Sequence, residues 1–330
     1  MNQNKYIVIY GAGISGLVAA INLAKTGFEV EVRDKNSSIG GSKVWHPSIH
    51  HQTFDINKTS NFIGIDITQC FKPVEKHTFY FYGNESILIN PDNSYVCEKG
   101  NNTNSIENYL YKTALEHKVR FSFNHEYKGH SDKSETIVAT GLEQQPYIDL
   151  GIKHSLIQGY RSSKELHDKA YVLSYFGKYT NDDFAYVASN GNTLFSLLFS
   201  RKGVDRNSLD IFKKHLYNSS NIEFDEWAFS KGCIPLEKNL VKDGVVLAGT
   251  ISGMIDPFFF NGISAALISG KIAADYFIDR EMALNEFNNF STNFYLKRRL
   301  KYISEILPLK KYSFPLMVLL NNRFKWVGVI

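Results

Sequence analysis

At 330 residues the chain is long enough for about two domains, and 43% hydrophobic against 21% charged residues excludes a wholly disordered protein. Thirty-seven Lys and Arg against 33 Asp and Glu leave a net charge of +4, a surplus too small and too dispersed to point to nucleic acid. Cys70, Cys97 and Cys233 show no C-x-x-C spacing, which argues against a disulfide scaffold, a zinc knuckle or a redox dithiol and favours a reducing, cytoplasmic compartment. Aromatic residues are abundant, with 24 Phe and 19 Tyr; a core filled with rings is the first expectation and a ring-lined apolar cavity the second.

The chain opens with Tyr6-Ile7-Val8-Ile9-Tyr10, a continuous β-type run suited to a parallel strand buried on both faces. Gly11-Ala12-Gly13-Ile14-Ser15-Gly16 follows at once. Leu17, Ala20, Ile21 and Ala24 then recur at helical spacing, and Gly27 closes the helix. A second strand, Phe28 to Arg33, ends at Asp34. The stretch from Tyr6 to Ala24 is apolar enough to imitate a signal peptide or a membrane span, but its glycines, Asn22 and the lack of an A-x-A site argue against both. A dinucleotide site accounts for the same residues one by one. Gly11 permits a tight turn, Gly13 lets the backbone approach a pyrophosphate, and Gly16 packs helix on strand. Ile14 and Ser15 open a helix whose free N–H groups and positive dipole end favour phosphate, and Asp34 stands where ribose hydroxyls are held. A tight turn without a ligand would explain the glycines but not the acid in register with them.

Lys35 follows, then the glycine pair of Gly40-Gly41-Ser42. Trp45-His46-Pro47-Ser48-Ile49-His50-His51 is the one cluster of titratable groups near this loop. Its spacing fits no metal motif, so no metal is expected. A solvent-exposed loop is the expected setting; the cluster could otherwise supply a proton donor or a covalent link to a flavin, with His46 the single catalytic candidate. Ile106, Tyr109, Leu110, Ala114 and Leu115 recur at helical spacing; strands are expected at Arg120 to Phe123 and Glu135 to Ala139, the latter ending in Thr140-Gly141. Tyr171 to Phe176, Phe184 to Ala188 and Thr193 to Phe199 read as an aromatic antiparallel sheet. Gly244 to Gly249 reads as a buried strand, followed by Thr250-Ile251-Ser252-Gly253-Met254-Ile255-Asp256-Pro257 and by Asn261-Gly262-Ile263, which opens a small-residue helix to Phe277. The tail from Asn293 interleaves Lys297, Arg298, Arg299 and Lys301 with Leu, Ile, Phe and Trp. It is read as a helical cap or as a peripheral membrane segment over 293–330.

The acid followed by a Gly-Gly pair, the Thr140-Gly141 turn and the Gly249–Ala274 block together resemble FAD-binding oxidoreductases of the glutathione-reductase superfamily. The last block is similar to that of geranylgeranyl reductases and flavin-dependent aromatic hydroxylases. The resemblance implies FAD, held by Gly11, Gly13, Ile14, Ser15, Gly16, Asp34, Lys35, Gly41, Ser42, Thr140, Gly141, Thr250, Asp256, Gly262 and Ile263. Thr250 replaces that family's Asp and can make one hydrogen bond there. The implied fold is α/β: a Rossmann-like, mainly parallel FAD-binding domain from 1–65, 95–145 and 236–280. An interleaved antiparallel-sheet substrate domain from 66–94 and 146–235 and a helical tail over 281–330 complete it.

The leading functional expectation is an FAD-dependent, geranylgeranyl-reductase-like enzyme reducing a hydrophobic, lipid- or polyprenyl-like substrate, with NAD(P)H or a reduced carrier as electron donor. A monooxygenase hydroxylating a small aromatic or hydrophobic substrate is the alternative. A third is an FAD-binding cyclase, isomerase or scaffold without net redox chemistry. Cytoplasmic location, with or without contact at a membrane surface, fits all three.

Overall fold

In a computed structural model the protein is described over residues 6–41, 46–82, 85–89, 92–129, 135–181, 183–256 and 260–306. The apolar run at the start becomes β1 (Tyr6–Tyr10), which pairs in parallel with β2 (Glu29–Asp34) and with β9 (Thr136–Val138). With β8 (Arg120–Phe123), β15 (Val241–Lys242) and β16 (Val245–Leu247) these make a six-stranded sheet, ordered β15-β16-β9-β1-β2-β8, in which only the β15–β16 pair is antiparallel. Burial on both faces is what the unbroken apolar pattern requires. Ile7 and Ile9 join one core with the helices α1 (Ile14–Lys25), α3 (Ile106–Glu116) and α6 (Ile263–Asp275), while Val8 and Tyr10 face Tyr127, Tyr147 and Leu247.

Helices α1 and α6 come close because α6 carries a glycine where they cross, while Gly16 of α1 packs on the turn after β1. A Cβ at Gly16 would lie 1.9 Å from the Gly11 carbonyl oxygen, and one at Gly270 would lie 2.5 Å from that of Ser15. Side chains cannot be inserted there without forcing the elements apart.

A seven-stranded sheet runs β14-β10-β13-β12-β11-β5-β6. Its members are β5 (Lys76–Phe81), β6 (Glu85–Ile89), β10 (His154–Glu165), β11 (Ala170–Phe176), β12 (Ala185–Asn190), β13 (Thr193–Ser200) and β14 (Ala228–Pro235). All pairings are antiparallel except β5 with β11. Alternation divides the aromatics between two faces. Tyr175, Leu194 and Leu198 pack under α5 (Arg206–Ser220), whereas Val172, Phe176, Phe195 and Phe199 form a separate cluster on the other side.

The third sheet was not foreseen. It pairs β3 (Ser48–Thr53) and β4 (Lys72–Pro73) with opposite edges of β7 (Ser94–Lys99). Two expectations are corrected by it. The histidine run lies on a strand rather than in an exposed loop, because β7 supplies the backbone partners that the local pattern conceals. Within 66–94, β4 joins this small sheet rather than the large one. Two shorter helices, α2 (Ile56–Ile63) and α4 (Gln144–Asp149), complete the connections.

The chain closes on α7 (Arg280–Phe290) and α8 (Phe294–Ile306). The cations of α8, expected to face a membrane or solvent, mostly turn inward. Lys301 lies 3.2 Å from Asp183 Oδ1 with both residues buried, Lys297 lies 3.8 Å from Asp256, and the Arg298 guanidinium donates to the Leu236 carbonyl. Tyr295, Leu296, Tyr302 and Ile303 point outward instead. A buried carboxylate attracts charge more strongly than water-facing helix periodicity can repel it. Among the described residues no helix is long and apolar enough to cross a membrane. Removing Lys301 takes one charged donor from the buried Asp183 carboxylate and leaves Arg201 as its cation, so Lys301→Met is expected to cost about 2 kcal/mol in a urea titration. A variant with the parental midpoint would show that Arg201, 3.3 Å from the same carboxylate oxygen, compensates fully.

Candidate functional site

One cavity of about 920 Å³ runs from the glycine turn after β1 into the aromatic face of the seven-stranded sheet. At its first end the N-terminus of α1 opens after Gly13, whose absent side chain matters directly. A Cβ there would meet no atom of the described residues within 4 Å and would project into open space. By contrast, Gly11 has a φ of +114° and a Cβ on it would lie 2.4 Å from the Ala139 carbonyl oxygen. One glycine is needed by the fold and the other leaves room for a ligand.

Asp34 sits at the end of β2 and lines the cavity. Its carboxylate accepts from the Ala12 N–H at 2.7 Å and from the N–H and side-chain amide of Asn36 at 2.8 and 2.9 Å. A carboxylate offers about four acceptor positions, so capacity for a ribose hydroxyl is left. Gly40 and Gly41 both have positive φ, and Gly40 closes onto the glycine loop through its N–H to the Ala12 carbonyl at 3.2 Å. Lys35 is ion-paired with Glu143 at the cavity wall. Thr140 Oγ1 is buried, lines the cavity and has no hydrogen-bond partner among the described residues. A buried hydroxyl left unpaired is costly, which points to a polar ligand beside it.

On the far side, Gly249 approaches Ser15 so closely that a Cβ would lie 2.5 Å from its Oγ, placing the Gly249–Thr250 turn against α1. Gly262 caps α6, and Gly262 and Ile263 line the cavity at that helix's positive end. Gln52 on β3 accepts from the Ser264 N–H at 3.5 Å, tying the small sheet to the same helix terminus.

The second end is walled by Phe79, Phe176, Phe184, Tyr186, Phe195, Leu197 and Phe199, with His46, His50, His51 and His77 among them. Burial and the Lys99 cation hold His50 down to about 3, and burial holds His51 down to about 4. His46 is lowered to about 2 by burial, then by Lys99, His50 and Arg161. Burial, with His51 alongside, keeps His77 well below its ordinary value. These imidazoles are therefore neutral at physiological pH. Each finds a hydroxyl: His46 and His50 share Ser48, His51 meets Ser94 at 2.6 Å, and His77 meets Ser174 at 2.9 Å.

Of the residues expected at the site, Gly11, Gly13, Ile14, Ser15, Asp34, Lys35, Gly41, His46, Thr140, Gly141, Thr250, Gly262 and Ile263 line this single cavity. Gly16 packs behind it. Asp256 does not reach it: the residue is buried and braces the Asp256–Asn261 loop, accepting from the Phe260 N–H and donating to the Asn261 carbonyl, each at 2.9 Å. Ser42, Trp45 and Pro257 lie outside the described residues. His50, His51, His77 and Tyr186 are site residues that sequence reasoning did not place in the cavity. The alternation of Ser48, His50 and Gln52 was the available signal for a strand.

Residues 9–53 match a family model described as an NAD(P)-binding Rossmann-like domain. Over 40 residues, 12% of this chain, the sequence is 48% identical to 4,4'-diapolycopene oxygenase of Methylomonas sp; the match spans only 8% of that relative's length. The solved structure of a geranylgeranyl bacteriochlorophyll reductase-like protein from Thermoplasma acidophilum superposes with a TM-score of 0.70 at 16% identity, covering 92% of this chain and 88% of that one. The p-nitrophenol 4-monooxygenase of Pseudomonas putida DLL-E4 gives 0.63 at 13% identity, over 97% and 95%. The protein thus has an α/β fold shared with a reductase-like and an aromatic-monooxygenase structure, built on a Rossmann-like nucleotide-binding module.

Proposed function

We propose that the protein is an FAD-dependent oxidoreductase that reduces a carbon–carbon double bond of an apolar substrate. The observation carrying this reading is the continuity of the cavity, from the glycine turn and Asp34 at one end to a wall of rings at the other. Likeness across most of both chains to a geranylgeranyl bacteriochlorophyll reductase-like structure supports it. The residues present fit FAD: Gly13 leaves space for the pyrophosphate, Asp34 keeps acceptor capacity for the ribose, and Thr140 offers an unpaired hydroxyl. Bound FAD supplies the hydride chemistry, with NAD(P)H or a reduced carrier as donor. The positive end of α6 favours negative charge on the ring system, and the aromatic wall excludes water from an apolar substrate.

Hydroxylation of a ring-bearing substrate is the second reading. It is favoured by the neutral histidine and tyrosine groups that interrupt the aromatic wall, since these suit a hydroxylated ring. Two measurements test the choice. Cofactor released by acid from the purified protein should contain an AMP moiety; FMN, or failure to take up added FAD, would remove the basis of both readings. Turnover under ¹⁸O₂ should give product without label, whereas stoichiometric label in the product selects hydroxylation.

A further inference from the structure

The chamber wall holds a set of polar groups besides the glycine turn and Asp34, and four of them are joined end to end. Ser48 and His50 lie on the same side of β3, two residues apart. Ser48 Oγ is 3.0 Å from His46 Nδ1 and 2.9 Å from His50 Nε2, and His50 Nδ1 lies 3.5 Å from the Tyr186 hydroxyl on β12. At one end, His46 Nε2 would be 3.6 Å from a Cβ on Gly41, beside the glycine pair. At the other, Tyr186 stands among Phe184 and Phe195 in the ring-lined chamber. Phe195 also stacks on His50, with ring centroids 6.1 Å apart and planes at 29°.

We infer that His46, Ser48, His50 and Tyr186 form a proton relay that delivers a solvent proton to the substrate through the Tyr186 hydroxyl. The inference rests on the reduction reading: once hydride is added at one carbon of a double bond, the neighbouring carbon needs a proton. Every member of the row can both donate and accept, so the row has two consistent polarities. In the charged-to-deliver polarity, His46 Nδ1–H donates to Ser48, Ser48 donates to His50 Nε2, and His50 Nδ1–H donates to the Tyr186 oxygen. That leaves the phenolic hydrogen free to point at the substrate.

Delivery breaks the Tyr186 O–H bond and forms a substrate C–H bond. Tyr186 is reprotonated from His50 Nδ1, His50 Nε2 from Ser48, and Ser48 from His46 Nδ1, while a solvent proton enters at His46 Nε2. One proton enters and one leaves; the electron pair comes from the reduced cofactor. Burial keeps the imidazoles neutral and pushes the phenol up, so no member is trapped as an ion. The long Tyr186 link is of the kind that tightens when ligand binds. His51 and His77 are not part of the row: they meet each other edge to face at 4.7 Å and end on Ser94 and Ser174. Tyr186 is the catalytic residue of the proposal, and the other three position its proton.

Ring-nitrogen NMR of histidine in the cofactor-free protein reads the relay without turnover. Because the polarities are coupled, Tyr186→Phe should shift the tautomer balance of His46 as well as of His50, with His51 and His77 unmoved. Ser48→Thr, which keeps the hydroxyl, should preserve the parental pattern. A His46 signal indifferent to Tyr186→Phe would overturn the relay. In the FAD-loaded, dithionite-reduced protein with geranylgeraniol as probe, Tyr186→Phe and Ser48→Ala should each slow product formation about 100-fold. Cofactor retention and its rate of reduction should stay parental, and Ser48→Thr should recover turnover. Parental product formation by Tyr186→Phe also overturns the relay. A parent inert toward the probe, with the histidines coupled as described, overturns the reduction reading and with it delivery to a double bond, while the coupled hydrogen-bonded row stands.

Discussion

Gly13→Val is expected to abolish FAD uptake while leaving the protein folded. The added side chain enters the cavity where no atom of the described residues lies within 4 Å, so the cofactor, and not the fold, meets the methyl groups. Gly13 has a φ of −89°, which valine can adopt, and replacing a helix-capping glycine costs only about 1 kcal/mol. Gly11→Val should behave oppositely: its positive φ and the Ala139 carbonyl at 2.4 Å strain the strand–helix turn itself, and soluble expression should collapse. Absorbance of bound flavin and thermal melts on the two variants separate the effects. FAD bound by Gly13→Val at parental affinity would refute the placement of the pyrophosphate.

A steep acid sensitivity is the second large expected effect. His50 and His51 are held to about 3 and 4 in the folded protein, below their ordinary value. The unfolded chain therefore takes up protons that the folded chain refuses. The stabilisation is complete above about pH 6.5 and is lost as pH falls toward the folded values, at roughly 1.4 kcal/mol per pH unit for each histidine. His46 and His77 add in the same sense. Glu107 opposes them, because burial raises its carboxyl and folding then favours its protonation. Urea midpoints should fall markedly between pH 6.5 and 5, a window above the ordinary carboxylate range, and His50→Gln should flatten that fall. A midpoint constant across the window would mean that the histidines are hydrated and titrate normally.

Much of the nucleotide end was legible because each requirement there is local. The turn, the helix and the second strand lie within Tyr6–Asp34, and each glycine's job follows from its immediate neighbours. The block from Gly249 to Asp275 was readable for the same reason. The histidine strand was not, since its identity as β3 depends on β7, whose first residue is 41 positions beyond the last of β3. The direction of α8 was hidden similarly. Periodicity reveals two faces of a helix, but Asp183 and Asp256, far back in the chain, decide which face turns inward. Asp256 itself was read as a cofactor contact from its place in that block, although it is not among the residues that line the cavity.

The contact between α1 and α6 has a consequence for synthesis. The glycine turn leaves the ribosome well before the helix that closes its far side, which begins only at Ile263. At the usual pace of translation, the interval of about 250 residues amounts to roughly 12–50 s. During that time the face of α1 that α6 later buries lacks that partner. Completion of the cavity is therefore a late event, and a nascent chain stalled before α6 presents the uncovered apolar face of α1 to chaperones rather than a closed site.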